Sequence, residues 1–362
     1  MKKVTFSGRS GFHAEVQNGV NHYFESNNIS KHANWRMVLK TVVILTGCVV
    51  SYTSLILSAG SPLLTVVSAI ALAQAIVLVG FNIMHDGNHG SYSRHRRWNQ
   101  ILGFTLDLVG GSSLFWQSKH NILHHTYTNI HEVDDDLDVP GILRFSPDQQ
   151  WRPWHRYQHW YAFPAYCLMT LLWSLKSDFD KFFSGKIGEY DLPRPSVGQV
   201  IVFFGARLTY FGYMLVVPML FHPVLHVLGI FLLIHAVVGL TLAIVFQLAH
   251  VVEDCDFIRA DEDSREIENE WAIHQVETTA NFSPKSKFAS WYCGGLNFQI
   301  EHHLFPRVCH IHYPAISKIV EEACRKFDIE YVSYPTFKEA VSAHRHFLRT
   351  LGAPAPEQTA VG

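Results

Sequence analysis

LLTVVSAIALAQAIVLVGFNIM, residues 63–84, runs directly into HDGNH, residues 85–89. The first part carries no charged side chain, and about 20 apolar residues let a helix cross the hydrocarbon core of a bilayer. The second part sets His85 and His89 four residues apart, one turn from each other on one helical face. Imidazole is the commonest protein metal ligand and suits iron, zinc and copper. The stretch reads as a membrane-crossing helix whose end carries two candidate metal ligands.

Three further apolar runs have spanning length: about Val38–Ala59, Val200–Phe221 and Val224–Ala249. With Leu63–Met84 they make two pairs joined by Gly60-Ser61-Pro62 and His222-Pro223. Links that short make antiparallel hairpins. Both tips lack Lys and Arg, whereas Lys31, Arg36 and Lys40 precede the first hairpin and Arg94, Arg96 and Arg97 follow it. The positive-inside rule then puts both tips outside and the rest in the cytoplasm. Arg207, inside the third run, is expected to face the protein interior. The fold class expected is an all-α integral membrane protein: four transmembrane helices in two hairpins, with a cytoplasmic helical cap holding a histidine-rich site.

Composition agrees. Hydrophobic residues are 48% and charged residues 17%, below the roughly 25% of soluble domains. A net charge of −2 gives no sign of nucleic-acid binding. Cys48, Cys167, Cys255, Cys293, Cys309 and Cys324 form no paired framework and read as reduced thiols. The polar, basic N-terminus is not a cleavable signal peptide. The expected domains are a cytoplasmic segment 1–37, a single membrane domain 38–350 and a disordered tail 351–362. Within the domain, Ile101–Trp116 and Trp160–Leu175 are read as interfacial or re-entrant. Asp261–Glu270 is read as a solvated acidic loop. Ala315–Phe327 and Thr336–Thr350 are read as helices of the cap.

Two more histidine clusters lie on the same side as His85 and His89: His120-Asn121-Ile122-Leu123-His124-His125 and Gln299-Ile300-Glu301-His302-His303. With 23 His in 362 residues, about 1.4 H-x-x-x-H pairs arise by chance, but only about 0.09 of the H-x-x-x-H-H form. Adjacent His124 and His125 aim at different angles, as ligands around two ions would. This many imidazoles implies more than one metal ion. His222/His226 fall at an outer tip and read as a decoy. His155/His159 read as interfacial packing, and His274, His310 and His312 as structural. Asp134, Asp135 and Asp138 are the candidates for orienting imidazoles. Asp86, Glu132, Asp254 and Glu301 read as solvated acids or helix caps. Gly294-Gly295 reads as a close-packed turn.

The three boxes together resemble the integral-membrane fatty acid desaturases over roughly Phe6 to Glu330. The third box reads Gln-x-x-His-His, in Leu296-Asn297-Phe298-Gln299-Ile300-Glu301-His302-His303-Leu304-Phe305-Pro306, and so resembles the front-end desaturases. These insert a double bond between the carboxyl end and an existing unsaturation. His124-His125-Thr126-Tyr127-Thr128-Asn129 followed by Asp134-Asp135-Asp136-Leu137-Asp138 is similar to the same group.

The resemblance implies two irons held by His85, His89, His120, His124, His125, His302 and His303. It adds His250, at the end of the last span, with Gln247 one turn earlier as its support. Gln299 binds weakly through its carbonyl oxygen, binds through water, or only orients a neighbour. O2 is the expected co-substrate, and a fatty acyl group on CoA or a lipid is the substrate. Arg94, Arg96 and Arg97 are candidates for the carrier's phosphates, or are topology signals touching anionic lipid. No His-Pro-Gly-Gly haem motif is present, so electrons are expected from a separate donor such as a ferredoxin or a cytochrome b-type protein with its reductase. The alternatives are a hydroxylase on the same scaffold, a zinc-dependent membrane hydrolase, which needs fewer ligands, and a metal transporter, which would spread its ligands along a midplane path.

Overall fold

The computed structural model describes residues 4–131, 133–137, 141–261 and 265–354. The chain enters through a short strand, Thr5–Phe6, and helix α1, Phe12–Ser26. The strand pairs in parallel with Glu266–Ile267. Glu270 then caps α1 by accepting the backbone N–H groups of Ser10 (2.8 Å), Gly11 (3.1 Å) and His13 (2.9 Å). The expectation of a solvated loop over Asp261–Glu270 is thus corrected for its second half. The Ser10 hydroxyl and the backbone N–H donors offset the cost of partly burying the carboxylate there.

α2, Trp35–Leu57, begins where the Asn34 side chain accepts from Arg36 N–H and Met37 N–H. α3, Pro62–His89, begins at the Ser61 cap with Pro62 in its first turn. It passes through a π-helical stretch, Gly80–Met84, and carries on through the first histidines. α4 is Arg96–Gly103 and α5 is residues 113–127, π-helical over Gln117–His124. α6 is Gln158–Tyr166 and α7 is Asp178–Ser184. α8, Val197–Met219, opens on a Ser196/Gln199 capping box, and α9 is Val224–His250. Of the described helices, α2, α3, α8 and α9 are the four long and apolar enough to cross a membrane. Their ends differ from the apolar runs by up to five residues, because hydropathy marks the greasy stretch whereas caps decide where a helix starts. The two shorter apolar stretches are broken at residues 109–112 and 167–168, which leaves helical pieces shorter than the roughly 20 residues a crossing needs.

α2 and α9 both pack on α3. Ala69, Leu72, Ala73, Ile76 and Val77 of α3 meet Phe231, Ile234 and Val238 of α9. Small residues let helices approach closely where lipid removes the hydrophobic drive. Gly239 serves the same end, since a Cβ there would sit 2.7 Å from the carbonyl oxygen of Tyr166 in α6. Val49, Val50, Leu57 and Leu63 face outward, an apolar surface that suits lipid as solvent. Arg207 is buried, as expected. It pairs with Asp178 of α7 and donates to the carbonyls of Gly110 and Gly111 (3.0 Å to the latter).

Beyond α9 come α10, Trp271–Glu277, α11, Gln299–Leu304, α12, Tyr313–Lys326, and α13, Phe337–Leu351. α1, α10, α11 and α12 share one apolar core through Phe12, Val16, Val276, Ile300, Ile316 and Val320. That core fixes the third histidine box. Gly294 and Gly295 form the expected tight turn, with φ of +58° and +72°. A Cβ on Gly294 would stand 2.2 Å from Phe81 O of α3, so the turn brings the third box against the first. The tail expected from 351 is helical at Leu351, and residues 355–362 lie outside the described residues.

Candidate metal centre

Eight imidazoles from four elements converge in the interior: His85 and His89 of α3, His120, His124 and His125 of α5, His250 of α9, and His302 and His303 of α11. All eight are buried. Nitrogens of His85, His89, His120 and His302 lie within 4.8 Å of one another, as do those of His124, His250 and His303. His125 stands between, within the same reach of His302 and His303. The local backbone explains this split. Successive residues on a helix project about 100° apart, and the neighbours His302 and His303 accordingly join different groups, their ring centroids 5.5 Å apart. The π-helical turn of α5 stacks His120 over His124 with ring centroids 5.2 Å apart. Such turns are frequent at functional sites.

Four of the outward nitrogens are held. His124 Nδ1–H donates to Asp134 (3.1 Å), and His303 Nδ1–H donates to Gln275 Oε1 (2.8 Å). His302 Nδ1–H donates to Tyr313 Oη (3.3 Å) and His250 Nδ1–H to Thr278 O (3.4 Å). These bonds set one tautomer, which leaves each Nε2 as a lone pair. The Nε2 atoms of His85, His89, His124, His250, His302 and His303 are buried and have no protein partner among the described residues. Unpartnered buried polar atoms are costly, and six aimed into one cluster fit first-row transition metal ions. Burial, then the neighbouring imidazoles, push His125, His302 and His303 well below the usual histidine range. Those rings are neutral, the form that binds metal. For His124 burial acts the same way, but Asp134 and Asp136 outweigh it and raise the ring.

Of the acids expected to orient imidazoles, Asp134 does so. Asp135 does not: it joins Lys119 (3.2 Å) and Lys181 (3.4 Å), and Asp136 stands 3.5 Å from His124 instead. Asp138 and Glu132 lie outside the described residues. Gln247 is buried but makes no hydrogen bond to His250, whose outward nitrogen goes to Thr278; its Oε1 has no partner among the described residues. Gln299 is buried at the start of α11. Arg94, Arg96 and Arg97 are exposed at and before α4, which packs on the helix of His85. His222 donates to the carbonyls of Leu55 (3.2 Å) and Ile56 (3.1 Å), away from the cluster. His155 bonds Arg152 N–H and Gly141 O.

The reading of Asp86 and Glu301 as solvated acids is corrected, since both are buried. Asp86 accepts from His310 Nδ1–H (2.9 Å), so His310 belongs beside the site. Glu301 accepts from Asn281 (2.9 Å) and Tyr331 (2.8 Å), and burial pushes its carboxyl up to about 7. Two asparagines escaped sequence reasoning. Asn88 accepts from Gln117 (2.8 Å) through its side chain and from Asn121 (2.9 Å) through its backbone carbonyl, tying the first box to the second. Asn129, at φ +56°, donates to His250 O (3.0 Å) and its N–H bonds Asp134 (3.0 Å). Asparagine tolerates that left-handed backbone, which is the one local signal it gave.

Helices long and apolar enough to cross a membrane, ending in a buried cluster of imidazoles that could hold metal, describe the class of protein. The fatty acid desaturase profile matches residues 60–335. The chain is 37% identical over 361 residues to sn-1 linoleoyl-lipid 6-desaturase of Arthrospira platensis, covering 99% of this chain and 97% of that protein. It is 39% identical over 347 residues to acyl-lipid (8-3)-desaturase of Physcomitrium patens (94% and 72%). It is 31% identical over 354 residues to acyl-lipid (8-3)-desaturase of Mortierella alpina (96% and 79%). The chain belongs to the fatty acid desaturase family. It is an oxidoreductase of lipid metabolism that desaturates fatty acyl chains in a membrane.

Proposed function

We propose that this enzyme is an O2-dependent front-end desaturase acting on lipid-linked acyl chains, with two irons held by the eight histidines. The unpartnered Nε2 atoms converging from α3, α5, α9 and α11 carry this reading. His85, His89, His120 and His302 would hold one ion, and His124, His250 and His303 the other. His125 stands between them, and Gln299 is a further candidate contact. Iron with O2, two external electrons and two protons supplies the oxidising power to turn a CH2–CH2 pair into a cis alkene and two waters. Zinc lacks that redox chemistry. Asp134 holds one ring in its binding tautomer, and burial keeps His125, His302 and His303 neutral and water out. The relatives named above are linoleoyl-lipid and acyl-lipid desaturases, which favours a lipid carrier over CoA.

His85 and His89 end α3 and His250 ends α9 within one cluster, so those helix ends share a side. With the basic residues flanking them, this supports two hairpins with the site on the cytoplasmic face, a membrane domain over 38–350 and a cytoplasmic segment 1–37. A separate ferredoxin or cytochrome b-type donor would supply electrons there. The test is expression in a host without polyunsaturated fatty acids, fed defined acyl chains, with double-bond mapping and metal analysis. New double bonds on the carboxyl side of an existing one, about two irons per chain and no product from His124→Ala support the proposal. A hydroxylated product, or zinc without iron, rejects it.

A further inference from the structure

We propose that Lys40 and His310 are positioning residues, which hold Asp86 against His85 and so support the His85/His89/His120/His302 group and not the His124/His250/His303 group. This rests on the reading of those histidines as iron ligands.

The chain of contacts is short and buried. Lys40 Nζ lies 3.4 Å from His310 Nε2, His310 Nδ1 lies 2.9 Å from Asp86 Oδ2, and Asp86 Oδ1 lies 3.9 Å from His85 Nδ1. Cys309 Sγ–H also donates to Asp86 Oδ2, at 3.0 Å. The four residues come from α2, from α3 and from the turn before α12, and all are buried. An ionisable side chain within a membrane span is expensive and marks a specific task. Among the described residues Lys40 makes no ion pair with a carboxylate. Its ammonium sits over the Trp291 ring at 5.1 Å and on the imidazole of His310, so its hydrogen-bonded link to Asp86 runs through that ring, with the longer-range attraction of the two charges added to it.

An ammonium has hydrogens to give and no lone pair to accept with. The Nε2 of His310 must therefore be the acceptor, its hydrogen must sit on Nδ1, and that hydrogen points at Asp86. Every proton in the chain is thereby assigned. Asp86 is left with one oxygen toward His85. At 3.9 Å it acts on His85 by its charge rather than by a hydrogen bond. A negative charge on that side favours the Nδ1–H tautomer and turns the Nε2 lone pair of His85 toward His89 and His302, whose ring centroids lie 4.6 and 4.5 Å away. Asp134 does the same for His124 in the other group, by direct contact. Each group thus has its own buried carboxylate, and the one serving His85 is itself held by a cation two contacts away.

The test uses the full chain in detergent or nanodiscs, with Lys40→Met, the conservative Lys40→Arg, and His310→Gln as a second lesion in the same chain of contacts. Iron per chain is measured after graded chelation, and Mössbauer spectra resolve the two irons. Lys40→Met and His310→Gln should each weaken retention of one iron by about 10–100-fold, taking the count from about two to about one, with the spectrum of the other iron unchanged. Lys40→Arg should keep both. If both lesions keep two irons with wild-type retention, or lose both irons together, the inference is wrong while the di-iron reading stands. A wild-type chain that binds no iron overturns that reading and this one with it.

Discussion

Replacing Asp134 by Asn should strip one of the two proposed metal positions while leaving the protein folded. The carboxylate accepts four contacts in a buried pocket. Oδ2 takes Asn129 N–H (3.0 Å) and His124 Nδ1–H (3.1 Å), while Oδ1 takes Asp136 N–H (3.1 Å) and lies 3.3 Å from the same ring nitrogen. An amide has one acceptor end and one donor end. With its oxygen toward His124, the NH2 meets Asp136 N–H donor to donor. Flipped, the NH2 meets His124 and forces that ring's hydrogen onto Nε2, which removes the lone pair facing His250 and His303. Losing one hydrogen bond to a charged group costs about 1.5–3 kcal/mol, which is roughly 10–100-fold in retention of the ion. Chelator titration with metal analysis reads this directly, and gas chromatography of the products reads its effect on turnover. Asp135→Asn is the control, because among the described residues Asp135 pairs with Lys119 and Lys181 and not with a histidine, and it should leave retention near wild type. The reasoning is refuted if Asp134→Asn holds both ions at wild-type chelator concentrations, or if Asp135→Asn loses them equally.

Three other outcomes are expected. Burial raises the Glu301 carboxyl from 4.5 to about 7, so its contribution is fully present below 4.5 and is lost as pH rises through 7. The metal-free protein should lose about 3 kcal/mol across that window, and Glu301→Gln, neutral throughout, should flatten the curve; parallel denaturation profiles at pH 5.5 and 8 for the two proteins would contradict this. Arg207→Met strands Asp178 in the interior and should destabilise by about 3–5 kcal/mol, with Asp178→Asn added in the same chain recovering much of it; equal melting of wild type and the single variant in detergent argues against the pair. His222→Ala with His226→Ala should leave metal content unchanged, and loss of an ion from that variant would mean the cluster has been misassigned.

Much of the site was legible because it is written in residue types. Box histidines at H-x-x-x-H and H-x-x-x-H-H spacing, each beside the end of an apolar run, can be read without knowing the fold. Their partners cannot. Asp134 and Asp135 are neighbours of the same type, yet one meets His124 and the other two lysines. Asp86 and Glu301 looked like surface acids because nothing local says that α12 and Tyr331 cover them. Lys40 looked like a topology signal, and its contact with His310 spans 270 residues of sequence.

The sequence by itself determined the four helices long and apolar enough to cross a membrane and the histidines of the three boxes, because hydropathy and residue type are properties of a segment that survive any folding of the rest. Tertiary structure alone decided how those imidazoles divide between two groups and which acid stands behind each ring. Those choices turn on side-chain direction and on neighbours brought through space. A π-helical turn in α5 and the placing of neighbours His302 and His303 of α11 in different groups set them without a signature in composition or spacing, and the Gly294-Gly295 pair announced a tight turn but not that it abuts Phe81 of α3.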